Sequence, residues 1–171
     1  MARTETQILA DMMDKTRQLT RFYISNLKTV DPYTSIEFGG KTFNSVYWLT
    51  AHLIWAEDNL IMHGTGAKSI APKWISHYHI KADGSLHEGH GDYKELLGEM
   101  KRVHEEAMNY LRAMDDSLLD KDNALGFQFG DGDASNRLII MHAIRHEGTH
   151  IGNLAWLCKM NEIQAPKNGY G

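Results

Sequence analysis

The amino-acid sequence predicts an all-α four-helix bundle with a long crossover connection between helices two and three. Three observations carry this expectation. Four long segments repeat apolar residues every three or four positions, no stretch reads as a run of strands, and one long connection, residues 64–91, separates the second segment from the third. At 171 residues the chain suits one domain, 1–171, and folding can bury about 65–70% of its unfolded surface, enough for a hydrophobic core.

The first helix is expected over 5–30. Ile8, Met12, Leu19, Tyr23, Leu27 and Val30 form its stripe, Leu9, Met13 and Phe22 widen it, and Asp31-Pro32 ends it because proline disfavours helical geometry in the residue before it. Gly39-Gly40 then breaks the chain, and Thr42 or Asn44 is a cap for a second helix over 43–63. Val46, Leu49, Leu53, Ala56 and Leu60 make its apolar face, which turns His52 inward between Leu49 and Leu53. The 64–91 stretch loses periodicity and is rich in glycine and histidine. A connection of that length in a compact domain is usually a functional lid or a crossover packed on the surface. Asp92 opens the third helix, with Tyr93, Leu96, Met100, Val103, Ala107, Tyr110, Met114 and Leu118 on one face. Residues 120–134 carry four aspartates and three glycines, the composition of a turn or short hairpin. Ser135 caps the last helix, 136–161, which Ala165-Pro166 stops.

Composition removes several function classes. The net charge is −4 and lysine and arginine form no block, so the electrostatic footprint of a nucleic-acid binder is missing. No apolar run approaches the ~18 residues needed to span a bilayer, and the first residues lack an apolar signal core, so a soluble, cytoplasmic protein is expected. The single cysteine, Cys158, fits a reducing compartment and reads as a small buried hydrophobe near a helix end.

The excess is in histidine, ten residues in all. On the fourth helix Ile139, Ala143, His146, His150, Asn153 and Leu157 share a face. Residues four apart are ~6 Å apart along the axis and ~40° around it, so the imidazoles of His146 and His150 can reach one ion. His52 offers a third nitrogen across the bundle, and three protein ligands with a position left open is the pattern of a catalytic metal. His142 extends the row by a turn, but ligands at ~2.1 Å cannot include two residues ~12 Å apart along one helix. His142 is the one left out, because Gly148 and Gly152 flank His150 and admit a neighbouring helix or a ligand there.

The stretch RHEGTHIGNL, 145–154, also fits the H-E-x-x-H of zinc metalloproteases. Their further ligand would fall on Asn153 or Trp156, or on a later acidic residue, and no sheet edge is foreseen to hold an extended peptide. Glu147 and His150 form a Glu-x-x-His, but a di-iron bundle needs a second one, which the chain lacks, and a haemerythrin-like site needs still more ligands.

With "LTAHLIWAEDNL" in the second helix and "HEGTHIGNL" in the fourth, the chain resembles the DinB/YfiT-like superfamily of metalloenzymes. The typical H-x-x-x-H-x-G-[QN]-[IL] ending reads His146, His150, Gly152, Asn153 and Leu154, and His52 matches the family's isolated histidine. The chain departs in its extended 64–91 connection and in Ile151, where arginine is common. The resemblance implies a four-helix bundle, a divalent nickel, zinc or iron site held by three histidines, and homodimerisation. It also implies, for some members, transfer of a low-molecular-weight thiol or a hydrolytic or isomerising activity. Lewis-acid activation of water or a thiol is the chemistry compatible with such a site. The expected reading is therefore a metal-dependent transferase or hydrolase acting on a small molecule. His52, His146 and His150 are its metal ligands and Glu147 and Asn153 its catalytic candidates, with Trp74, His77 or His79 available to orient a nucleophile or substrate. The alternative is a non-catalytic dimeric bundle with incidental metal binding.

Overall fold

The computed structural model describes residues 2–128, 130 and 132–163. Four helices build it: α1 (Glu5–Asn26), α2 (Val46–Glu57), α3 (Tyr93–Ala113) and α4 (Asn136–Met160). Both α3 and α4 pack against α1 and against α2, which is the expected all-α bundle. Among the described residues no helix is long and apolar enough to cross a membrane.

Thr4 starts α1 with a capping box. Its hydroxyl accepts from the Gln7 backbone and the Gln7 side chain accepts from the Thr4 backbone, so two otherwise orphaned amides are satisfied. The helix stops at Asn26, short of the expected Val30, and turns lead to Pro32, whose carbonyl accepts from the Tyr47 amide at 2.8 Å. The inward row also differs from the sequence reading. Leu9, Ala10, Met13, Arg17, Thr20 and Ile24 are buried, whereas Ile8 and Met12 are 45% and 51% exposed. The stripe is rotated because two polar residues, Arg17 and Thr20, belong to it.

The 31–45 link contains a two-stranded hairpin, β1 (Ile36–Phe38) with β2 (Lys41–Phe43). Gly39 and Gly40 both have positive φ, 58° and 71°, the left-handed pair that a tight two-residue hairpin turn requires. Thr42 lies in β2, so Ser45 caps α2 instead, its hydroxyl accepting from the Trp48 amide at 3.1 Å. Every residue of α2 except Trp55 is buried, not only the one face read from the sequence, because most of the helix is apolar on all sides. The helix continues as a π-turn, Asp58–His63, with Gly64 N–H reaching Asn59 O at 2.8 Å.

The long connection is pinned at several points. The Asp58 carboxylate accepts from Ser69 Oγ and from the amides of Ile70 and Ala71. A 3₁₀ turn, Lys73–Tyr78, buries Ile75 and Tyr78 against the bundle. The Tyr47 hydroxyl donates to Gly91 O at 2.7 Å just before Asp92 caps α3. After α3, the Asn123 side chain ties the turn region, accepting from the Leu125 and Phe127 amides and donating to the Phe127 and Ala134 carbonyls. An isolated bridge joins Asp122 to Ser135, which caps α4 as expected. The helix ends at Met160, and Ala165-Pro166 lies outside the described residues. Cys158 is buried.

Two apolar clusters fill the bundle. One gathers Ile24, Ile54, Val103 and Leu154, and the other Met13, Leu60, Ala107 and Ala143. Along each helix a buried polar residue falls between members of the two: Arg17, Glu57, His104 and Glu147. A polar layer thus crosses the bundle between its two apolar halves.

Candidate metal centre

Each ligand candidate is aimed by its neighbours. The His52 ring lies between Trp48, stacked at 4.9 Å between centroids, and Trp55, stacked at 5.5 Å, one turn to either side on α2. Its Nδ1 is 2.7 Å from Tyr78 O. A carbonyl only accepts, so Nδ1 carries the proton and Nε2 presents its lone pair. That Nε2 lies 3.3 Å from Nε2 of His146. His150 is next on α4, its ring 4.6 Å from His146 and 4.8 Å from His52 between centroids. One ligand atom from each of the three lies within 4.8 Å of the others.

The donor set fits a divalent ion. Two nitrogens bound ~2.1 Å from a tetrahedral ion stand ~3.4 Å apart, close to the separation of the His52 and His146 Nε2 atoms. Burial first, then the neighbouring imidazoles, push His146 down to about 3 and His150 to about 4; burial also lowers His52. All three rings are therefore neutral near pH 7, the state in which imidazole ligates metal. Asn153 Nδ2 is 3.1 Å from His150 Nδ1, where it donates to the ring. Turned by a half-turn, the same amide would present its oxygen to an Nδ1 proton and leave Nε2 bare for an ion.

The other expected residues are placed as follows. His142 lies outside the group of nitrogens that could share an ion, although its ring is 5.9 Å from that of His146 between centroids. Its ring stacks on Phe127 at 4.7 Å and its Nδ1 accepts from Arg145 at 3.0 Å. Gly148 and Gly152 are exposed and a Cβ at either would meet nothing within 4 Å, so no other part of the described chain packs on them and the surface there is open. Glu147 is not brought together with the histidines. It is 2% exposed and turned into the polar layer, where Arg17 Nη2 donates to Oε2 at 2.8 Å and Thr20 Oγ1 to Oε1 at 2.6 Å. Arg17 Nε is also 2.7 Å from Oε1, an ion-pair contact without the alignment of a hydrogen bond. Burial raises the Glu147 carboxyl pKa, against the pull of Arg17. Of Trp74, His77 and His79, His79 has its ring 6.3 Å from Trp55, which stacks on His52, while His77 stacks on His87 and Trp74 packs edge-on to Tyr78.

Sequence reasoning did not foresee the rest of the polar layer. Arg17 Nη2 also donates to Glu57 Oε2 at 2.9 Å, and the two ring nitrogens of His104 face Glu57 Oε1 at 2.6 Å and Asp14 Oδ1 at 2.8 Å. Arg112 closes the chain on Asp14. The signal was present: Arg17 lies on the helical phase of Ala10, Met13 and Ile24, and Glu57 between Ile54 and Leu60.

Fold and site together define an all-α helical bundle whose three inward histidines lie close enough to bind a metal ion. The family model of the DinB superfamily matches residues 12–154, and the chain belongs to that superfamily. No curated protein matches it.

Proposed function

We propose that the protein is a metal-dependent enzyme acting on a small molecule, either a transferase of the low-molecular-weight-thiol S-transferase type or a hydrolase. The reading is carried by the 3.3 Å approach of the His52 and His146 Nε2 atoms, with His150 beside them. A nickel, zinc or iron-type divalent ion there would supply Lewis acidity, bringing the pKa of a water or thiol down toward neutrality. The chain's own contribution is orientation. Trp48, Trp55 and the Tyr78 carbonyl fix the His52 ring, and Asn153 acts through His150 as a positioning residue. Glu147 is left a structural part, with Arg17 and Thr20 holding its carboxylate.

Metal analysis of protein purified without an affinity tag should find near-stoichiometric divalent metal, lost in His52→Ala. A metal-free wild type with an unaffected variant would remove the reading. Incubation with an electrophile and glutathione, bacillithiol or mycothiol should then give metal-dependent conjugate, and failure with all three leaves the hydrolase.

We further propose that it works as a cytoplasmic homodimer of single-domain chains. The support is a set of exposed apolar side chains, Met12 on α1 and Met141 and Trp156 on α4, which are 51%, 53% and 58% exposed, with the open Gly148 and Gly152 also on α4. Light scattering reading a monomer at micromolar concentration would count against the dimer, and recovery in a membrane fraction against the location.

A further inference from the structure

A half-open groove of about 320 Å³ lies between α1 and α3. Its lining residues belong to α1, to Lys28 just beyond it, or to α3. The metal-ligand candidates stand on α2 and α4, so the groove is no part of that site. Two facing stripes build it: Arg21, Ile24, Ser25 and Lys28 recur at i, i+3, i+4 and i+7, and Tyr93, Leu97, Met100 and Lys101 at i, i+4, i+7 and i+8.

The charge of this groove is one-sided. Ile24 and Met100, 6% and 2% exposed, form an apolar floor, and Leu97 is 37% exposed beside them. Arg21, Lys28 and Lys101 line the groove as well, all three exposed, and no carboxylate does. Among the described residues Arg21 and Lys28 make no ion pair, and Lys101 reaches Glu105 only at 3.8 Å with both side chains largely in solvent, a contact that contributes little. On a chain with a net charge of −4, three cations gathered round an apolar floor without an acid among them reverse the local sign.

We infer that this groove binds a linear amphiphile with a single anionic head, of the medium-chain carboxylate class. The cations supply charge-assisted donors, Arg21 with the planar fork that matches a carboxylate. Ile24, Leu97 and Met100 cover the alkyl tail, and the unbranched methionine side chain adapts to a flexible chain. A polyanion fits less well, because charges brought over the apolar floor lose water without gaining a partner. The volume, at the lower end of the roughly 300–1,000 Å³ of small-molecule sites, suits one short chain rather than a docked helix about 10 Å across. The inference stands apart from the metal reading, and neither requires the other.

Octanoate is the probe, with butyrate and octanol as controls. Titrated into the protein as purified, octanoate should shift the Met100 methyl resonance, assigned with Met100→Leu, and saturate with a Kd on the order of 1 mM or below. Butyrate should bind about tenfold more weakly for want of methylenes to bury, and octanol about tenfold more weakly for want of charge. Raising the salt from ~0.05 to ~0.5 M should weaken octanoate several-fold, since exposed cations are screened. The double variant Arg21→Glu with Lys101→Glu should lose saturable binding. Both changes are at exposed positions, so its circular dichroism and metal content should be those of wild type, which keeps this test distinct from that of the metal centre. The inference is overturned by no saturable shift, by equal binding of octanoate and either control, or by full affinity in the folded double variant. Sedimentation with phosphatidylglycerol vesicles in the absence of any octanoate shift would likewise overturn it and make the groove a membrane contact.

Discussion

Two polar clusters sit side by side in this bundle and meet the cost of burial in opposite ways. In the Arg17 cluster the charges close on one another: one guanidinium contacts Glu57 and Glu147, and His104 joins Glu57 to Asp14. In the histidine cluster burial removes charge, and three neutral rings crowd their nitrogens within 4.8 Å without a carboxylate among them. A buried polar group has to be partnered, so a cluster that partners itself is structure, and one whose lone pairs converge asks for a cation. Glu147 and His146 are adjacent in sequence, yet they belong to different clusters because one step along a helix turns the side chain by ~100°.

The largest difference between the clusters should appear when the shared cation is removed. Arg17→Met leaves Glu57 and Glu147 buried side by side, and unfolding in urea should show a loss of about 3–5 kcal/mol. Removing a histidine should cost metal rather than fold. Wild-type protein in a hundredfold excess of metal over Kd should gain about 2.7 kcal/mol, and His146→Ala should gain none; equal gains would break the assignment. Asn153→Ala, which frees the His150 ring, should keep the metal but weaken it about 10–100-fold, as losses of ligand-orienting partners do. Metal competition with a chromophoric chelator reads that change.

Acid tests the same contrast in metal-free protein. His146 and His150 sit near 3 and 4 in the fold against an ordinary 6.5, so below pH 6.5 the unfolded chain binds more protons. Their contribution to stability is complete above 6.5 and is lost as pH falls through 4 and then 3. Urea unfolding across that window should therefore show stability falling with acid, with a shallower slope in His146→Ala.

What the sequence made legible follows from what periodicity can see. The fourth helix, its Ser135 cap and the histidine face were readable because His146 and His150 repeat with Ile139, Ala143 and Leu157. His52 was readable because everything around it is apolar. Arg17 was missed because a stripe traced only through apolar residues picked Ile8 and Met12, which face outward. The hairpin after α1 was missed because three-residue strands carry almost no alternation, although Gly39-Gly40 marked its turn. The pinning of the 64–91 connection rests on Asp58, Tyr47 and Tyr78 contacts between positions far apart in sequence, which local pattern does not encode.

The smallest effect is expected at Glu147, and it separates the clusters most sharply. Arg17 carries one positive charge between two carboxylates, and burial already pushes the Glu147 carboxyl toward its neutral form. Glu147→Gln keeps the shape, leaves Arg17 paired with Glu57, and retains an oxygen to accept from Thr20. The cost should stay near 1 kcal/mol, that of one altered hydrogen-bond pattern rather than of a stranded charge. Metal content should be that of wild type, since no ligand nitrogen is touched. If Glu147→Gln instead loses metal-dependent turnover while keeping metal and fold, its carboxylate takes part in the chemistry, and the two clusters are one site.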